Sequence, residues 1–230
     1  MSFTRTPLSE LERAVIRIYE RYAVEVVEQF DLCPWAERAR LAGRVKPHVI
    51  FESDPSALAS SLEAIERLAA DSEVEVGLLV YPRLRLGRHE FERYLRVLRE
   101  ADSERHELGQ SPFAMAAFHP DAEPDLGHAD RLVPFVRRSP DPTIQIVRKS
   151  VLDEVNGTTR AGTSFVDVQE IGMSLAAVEL LSREVVSIRQ WVAERNLETV
   201  ERVQPAALEA IFSDIERDRA ETYARLGLSP

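Results

Sequence analysis

The chain has 230 residues, of which 44% are hydrophobic and 30% are charged, and its formal net charge is −10. A chain of this length buries enough surface to fold without a disulfide or a structural metal, and its negative charge argues against binding to nucleic-acid backbones and to anionic membranes. Because it has a single cysteine and no apolar run near the roughly 20 residues of a membrane span, we expect a cytoplasmic protein.

Two helices are predicted at the start of the chain. Apolar residues recur at three- and four-residue steps from Leu11 to Phe30, which predicts one long amphipathic helix with Ser9 as its N-cap. The next segment predicts a short helix with Cys33 as its N-cap and Gly43 just past its end.

The middle of the chain alternates between strand and helix patterns. Apolar segments at 47–52, 74–82, 112–120 and 142–149 predict four strands, helical patterns separate them at 54–70 and 87–102, and further helical patterns follow at 172–196 and 205–227. We therefore expect an α/β or α+β fold in one domain, 1–230, with a single mixed sheet of about four strands covered by helices and with N- and C-terminal helices. The ferredoxin-like sandwich is one topology that this pattern leaves open.

One long irregular segment is predicted between the third and fourth strands. Residues 120–142 are rich in proline and aspartate and show no regular apolar period. Because a structureless stretch of that length inside a compact domain is usually functional or mobile, we expect it to form a loop over a site.

Cys33 admits two interpretations. A free cysteine is commonly a small buried hydrophobe, which would make Cys33 a packing residue. Pro34, however, disfavours a helical conformation for the residue before it, so the thiol would lie at the start of a new helix. Backbone N–H groups and the helix dipole lower a thiol pKa at that position, which favours a reactive cysteine.

His119 is the second candidate for a functional residue. It ends the third predicted strand and opens the irregular segment, in the place where α/β sheets tend to bind ligands. Asp121 is close enough to orient its imidazole. The alternative is an ordinary surface or hydrogen-bonded histidine, and a weaker hypothesis joins His119 and His128 on a metal.

Cations cluster around the fourth predicted strand. Arg137, Arg138 and Ser139 precede it, and Arg148 and Lys149 follow it. These residues either balance nearby acids at a solvated strand end or bind a carboxylate or phosphate through bidentate arginine contacts. Segment 156–165 lacks the spacing of a phosphate-binding P-loop, and no zinc-binding spacing occurs.

Three segments in this order resemble the bacterial family known as domain of unknown function 1415: DLCPWA, FHPD and RSPDPTIQIVR. The ending IERDRAETYARLG is similar to the end of that family. The resemblance places Cys33, His119 and Arg138 on family motifs and so disfavours pure packing for the cysteine, but it implies no reaction. The chain departs from the family pattern at Trp35, Ala122, Arg137, Lys149 and Asp218, and residues 156–205 resemble a mostly helical insertion.

Three functional hypotheses follow. The favoured one is a small-molecule enzyme with an anionic substrate, in which Cys33, His119, Arg138 and Arg148 line one pocket under the 120–142 segment. The second is a protein that binds haem or a transition metal through His119 or Cys33. The third is a non-catalytic, dimeric interaction protein. The predicted site comprises Cys33, His119 and Asp121 as catalytic candidates and Arg138, Ser139, Arg148, Arg137 and Trp35 as substrate-binding candidates.

Overall fold

The computed structural model describes residues 8–107, 111–153 and 188–228. Its elements, in chain order, are α1 (Glu10–Tyr22), a π-helix (Ala23–Glu28), α2 (Ala36–Leu41), β1 (Val45–Val49), α3 (Ala59–Ala70), β2 (Val76–Val80), α4 (Arg88–Ser103), β3 (Phe113–Phe118), α5 (Ala129–Val136), β4 (Thr143–Arg148), α6 (Ile188–Val203) and α7 (Pro205–Arg225).

The first helix begins where the sequence predicts. The Ser9 hydroxyl accepts a hydrogen bond from the Glu12 N–H at 3.1 Å, and the Glu12 carboxylate accepts one from the Ser9 N–H at 2.7 Å. This capping box satisfies two N–H groups that a helix start otherwise leaves unpaired. The apolar face buries Val15, Ile18 and Tyr22.

The end of this helix differs from the expectation. The predicted continuous α-helix gives way to a π-helix over Ala23–Glu28, and the chain then turns through Asp31, which has a φ of 52°. A left-handed backbone is uncommon for a residue other than glycine, and both features occur often near functional sites. The chain that leads into Cys33 is therefore shaped by two irregular backbone features.

The four strands form one mixed sheet in the order β1-β2-β4-β3, which confirms the predicted fold class. β1 and β2 are parallel, whereas β4 runs antiparallel to both β2 and β3. The strands and the helices between them follow the order β-α-β-α-β-α-β, which differs from the β-α-β-β-α-β order of the ferredoxin-like sandwich. The ferredoxin-like alternative is therefore wrong.

Helices cover both faces of the sheet. Leu78 and Val80 of β2 pack with α1, α5, α6 and α7, whereas Leu79 packs with α3 and α4. Gly77 lets α3 approach closely, because a Cβ at this position would lie 2.7 Å from Ile146 Cγ1 and 2.8 Å from Leu68 Cδ1.

Segment 120–142 is not the irregular loop predicted from the sequence, because it contains α5. The His128 imidazole caps this helix by accepting a hydrogen bond from the Asp130 N–H at 3.2 Å. Leu132, Phe135 and Val136 anchor the helix in the core. The helix therefore brings the segment into contact with the sheet at the end where His119 lies.

The described residues include neither a membrane-spanning helix nor most of the predicted insertion. No helix among them is long and apolar enough to cross a membrane. Most of the predicted insertion, 156–205, lies outside them, as does segment 156–165, and the described remainder is helical over Ile188–Val203.

Candidate functional site

The candidate site lies where β3 ends and β4 begins. Phe118 pairs with Thr143 in the antiparallel register, so the chain after β3 and the chain before β4 meet at one end of the sheet. The N–H of His119 donates to the carbonyl of Arg137 at 3.1 Å and joins the two segments directly. The expected proximity of these two motifs is therefore observed.

His119 is a buried side chain whose two ring nitrogens are both occupied. Its exposure is 5%, and its ring lies 5.8 Å from that of Phe91. Nε2 donates to the carbonyl of Leu86 at 2.9 Å, because a carbonyl can only accept. Nδ1 accepts a hydrogen bond from the N–H of Asp121 at 3.1 Å. This arrangement fixes one neutral tautomer and leaves no lone pair for a substrate proton or a metal.

Asp121 orients the imidazole through its backbone and not through its carboxylate. The Asp121 side chain is 74% exposed, and its carboxylate oxygen lies 3.8 Å from Nδ1 of His119, beyond hydrogen-bond length. Asp121 lines the cavity described below.

Cys33 lies in the turn before α2, and Trp35, a half-buried residue, occupies the N-cap position. The predicted N-cap role of Cys33 is thus wrong by two residues, because α2 begins only at Ala36. Burial raises the pKa of the Cys33 thiol, and the N–H groups of Trp35 and Ala36 together with the charge of Arg137 offset only part of that effect. The surroundings of Cys33 thus raise the thiol pKa, whereas the sequence predicted a lowered one.

Arg137 connects the surroundings of Cys33 and His119. Its positive charge acts on the Cys33 thiol, and its guanidinium carbon lies 5.4 Å from the centre of the Phe118 ring. It also lines a crevice of about 70 Å³ with His119, which we call the His119 crevice. Both imidazole nitrogens bind elsewhere, so neither takes the Cys33 proton in this arrangement.

A larger cavity of about 900 Å³ adjoins the His119 crevice, and we call it the arginine cleft. The two spaces share Arg88 and Pro134. Three arginines reach the arginine cleft from three segments: Arg88 from the start of α4, Arg131 from α5 and Arg138 from the chain before β4. Four carboxylates also line it, from Asp121, Glu123, Asp125 and Glu216.

Arg138 joins this cleft to α7. Nη1 donates to Glu209 at 2.6 Å, and Nη2 donates to Glu216 at 3.2 Å. Its guanidinium carbon lies 5.0 Å from the centre of the Phe212 ring. Its Nε is buried without a hydrogen-bond partner. Nε is thus the one guanidinium nitrogen of Arg138 without a hydrogen-bond partner among the described residues.

Ser139 has a structural partner in place of a ligand. Its buried hydroxyl donates to the carbonyl of Asp141 at 2.6 Å. The Asp141 carboxylate, itself 1% exposed, accepts hydrogen bonds from Arg219 at 2.8 Å and from the Tyr223 hydroxyl at 2.6 Å. Burial, and then the charge of Asp141, raises the pKa of Tyr223 well above its ordinary value. This cluster fixes the chain before β4 onto α7.

Arg148 lies at the opposite end of the sheet, where it pairs with Phe113. Its guanidinium donates to the carbonyls of Val74 at 2.9 Å, Leu68 at 3.2 Å and Asp71 at 2.9 Å, near the end of α3. The expectation that Arg148 and His119 share a pocket is wrong. β3 and β4 are antiparallel, so their carboxyl ends point in opposite directions.

No group of three or more His, Cys, Asp or Glu side chains that could hold a metal ion occurs among the described residues. His128, the proposed partner of His119 on a metal, uses its Nδ1 to cap α5.

Several residues of the site were missed by the sequence prediction. They are Arg88, Arg131, Asp141, Glu209, Glu216, Arg219 and Tyr223. Asp141 carried a usable signal, because it lies inside the RSPDPT motif. Glu216, Arg219 and Tyr223 lie in the ending that resembles the family, whereas Arg88, Arg131 and Glu209 have no local signal in the sequence.

Residues 14–171 match the model of a family described as "Protein of unknown function (DUF1415)", which confirms the resemblance seen in the sequence. The match extends into the segment predicted as an insertion, 156–205. Comparison with curated proteins and with solved structures finds no match.

Proposed function

The chain belongs to the DUF1415 family, and we propose that it is an enzyme whose anionic small-molecule substrate binds in the arginine cleft. The observation that carries this proposal is the convergence of Arg88, Arg131 and Arg138 on one cavity. Its volume of about 900 Å³ lies in the range of small-molecule sites. Guanidinium groups bind carboxylates and phosphates through paired hydrogen bonds.

Within this proposal, Arg137 lies beside the His119 crevice, which adjoins the arginine cleft, and acts on Cys33 through its charge. It lines the His119 crevice, and its charge favours the thiolate form of Cys33. Burial favours the thiol form, so we assign Cys33 no nucleophilic role before substrate binds. His119 acts as a positioning residue, because its imidazole holds the 119–121 turn against Leu86.

The haem or metal hypothesis has less support from these contacts. Nε2 of His119 carries a proton and Nδ1 accepts one hydrogen bond, so a metal would have to break one of the two contacts. No contact among the described residues favours the dimeric hypothesis over the enzyme.

The proposal is tested by titrating the protein with inorganic phosphate, pyrophosphate and citrate in a calorimeter. We expect Arg131→Gln to weaken binding about tenfold or more, since a charged hydrogen bond is lost. Arg131 is 70% exposed, so the fold should tolerate the change. Arg96→Gln is the matched control, because Arg96 is exposed and lies outside the cleft. Equal loss in both variants, or no binding of any of the three anions, contradicts the proposal.

A further inference from the structure

Two arginine side chains, Arg21 and Arg40, bind a carboxylate through the edge of the guanidinium formed by Nε and Nη2. Arg21 donates from Nε and Nη2 to the two oxygens of Glu25 at 2.6 and 2.9 Å. Arg40 donates from the same two atoms to Glu28, both at 2.7 Å. In each pair one carboxylate fills both positions of the edge, which is the strong bidentate geometry of arginine and carboxylate.

In Arg138 only one of the two nitrogens on this edge has a hydrogen-bond acceptor. Nη2 donates to one oxygen of Glu216 at 3.2 Å, which is long for a charged pair, and Nε has no partner. A buried N–H without an acceptor is costly, so the edge favours an oxyanion that can accept from both atoms. The other end of the guanidinium is held by Glu209 at 2.6 Å, which keeps the edge in place.

Glu216, which accepts a hydrogen bond from Nη2 of this edge, also belongs to the arginine cleft. It lines the cavity together with Arg138, and its side chain is 46% exposed. The carboxylate can therefore turn into solvent without leaving a buried charge behind. Nε of Arg138 is out of contact with solvent, so an anion reaches it only if a neighbouring group moves, and Glu216 is the more exposed of the two carboxylate partners of this guanidinium, at 46% against 36% for Glu209.

We propose that Glu216 is a specificity-determining gate, and that the oxyanion of the substrate displaces it and accepts hydrogen bonds from both Nε and Nη2 of Arg138. The inference rests on the proposed function and adds the class of group recognised: a carboxylate or phosphoryl group with two oxygens free to accept. A ligand with a single acceptor gains nothing over Glu216 and leaves the gate closed.

The test compares inorganic phosphate binding to the wild-type protein, Glu216→Gln and Glu221→Gln by calorimetry. The neutral amide of Glu216→Gln competes poorly for Arg138, so we expect phosphate to bind about tenfold more tightly. Glu221 is an exposed glutamate on the same helix, α7, and its change to glutamine removes the same charge. We expect it to leave the affinity within twofold.

Two further measurements show whether the gain passes through Arg138. In ¹⁵N-resolved NMR spectra, phosphate should shift the Nε–H resonance of Arg138 as that group gains an acceptor. Arg138→Lys combined with Glu216→Gln should lose the gain, because lysine keeps the charge without the paired donors. A gain that persists in this double variant, or that Glu221→Gln reproduces, is a general charge effect and overturns the inference.

The inference and the proposed function fail in different ways. If wild-type protein binds phosphate, Arg131→Gln weakens that binding and Glu216→Gln leaves it unchanged or weaker, the gate is wrong and the cleft remains the binding site. If neither wild-type protein nor Glu216→Gln binds phosphate, both the gate and the phosphate-binding cleft are overturned.

Discussion

Burial and the nearby charges act on the Cys33 thiol in opposite directions. Burial raises the thiol pKa, and Asp31 adds a smaller effect of the same sign. The N–H groups of Trp35 and Ala36 and the cation of Arg137 lower it. Since burial is the largest effect, the thiol is protonated at neutral pH. The two N–H groups and the Arg137 cation therefore favour the thiolate, but together they favour it less than burial favours the thiol.

Arg137→Gln should raise the pKa of the Cys33 thiol further, because it removes a cation that stabilises the thiolate. The thiolate fraction then falls at every pH below the pKa, and the rate of alkylation by iodoacetamide falls with it. Cys33 is the only cysteine, so the whole signal reports on this site. The midpoint of the pH–rate profile should move upward in Arg137→Gln and stay in place in Arg131→Gln. A midpoint that moves downward would refute this electrostatic role.

His119→Ala should lower the free energy of unfolding by about 2–4 kcal/mol, because it leaves the Leu86 carbonyl and the Asp121 N–H without their partner and opens space beside Phe91. The sequence predicted either a site residue or an ordinary surface or hydrogen-bonded histidine, and the 5% exposure of His119 shows a buried side chain. Urea unfolding measures the change. His89→Ala, at an imidazole that is 78% exposed, should stay within about 0.5 kcal/mol. Equal effects would argue against a structural His119.

At the scale of elements, the predictable parts are those with a strong local apolar pattern. β2, whose last four residues are all buried, and α4, with Phe91, Leu95 and Leu98 on one side, were both predicted for that reason. The π-helix was not predicted, because its sequence continues the apolar spacing of α1. α5 was missed because it is short and has Pro134 in its interior, where proline removes a backbone hydrogen bond.

A local sequence pattern could not predict the contact between α1 and α7 either, because this contact depends on ion pairs between residues far apart in the sequence. Arg17 donates to both oxygens of Asp218 at 2.7 and 2.8 Å, and Arg21 reaches Asp218 at 2.9 Å and Asp214 at 2.7 Å. These ion pairs hold α7, the helix that carries Glu209 and Glu216, against α1.

This ion-pair network should make the protein sensitive to acid. Arg17, followed by Arg21, holds the pKa of Asp218 well below its usual value. A depressed carboxyl pKa stabilises the fold above the unfolded value of about 4, and that contribution is lost as the pH falls through the lower, folded value. Asp218→Asn should therefore be less stable than wild type at pH 7 and should lose less stability between pH 4 and pH 2.

Urea unfolding at pH 7, 4, 3 and 2 measures this dependence. Asp153→Asn is the matched control, since Asp153 is exposed and should leave both the stability and its pH dependence unchanged. The ion-pair explanation is wrong if the stability of Asp218→Asn falls with acid as steeply as that of the wild-type protein.

At the scale of the molecule, the candidate site is assembled from chain segments far apart in sequence. The motifs predicted that His119 and Arg138 lie close together, because each flanks a strand of the same sheet. The partners of Arg138 could not be predicted, since Glu209 and Glu216 follow it by 71 and 78 residues. The direction of each strand could not be predicted either, because an apolar run predicts a strand without identifying the strand beside it or their relative orientation.

Because β4 is antiparallel to β3, Arg148 lies at the other end of the sheet from Arg131 and is expected to be structural, whereas Arg131 is expected to bind the anion. Arg148 donates to carbonyls near the end of α3, at the end of the sheet away from the arginine cleft. Arg148→Gln should therefore lower the free energy of unfolding by about 1–3 kcal/mol through lost hydrogen bonds, while phosphate affinity stays within twofold of wild type. Arg131→Gln should show the reverse, with weaker phosphate binding and little change in stability, because Arg131 is 70% exposed. Calorimetric titration measures the phosphate affinity of both variants, and urea unfolding measures their free energy of unfolding. A loss of phosphate affinity in Arg148→Gln equal to that in Arg131→Gln would mean that the anion does not bind at the His119 end of the sheet.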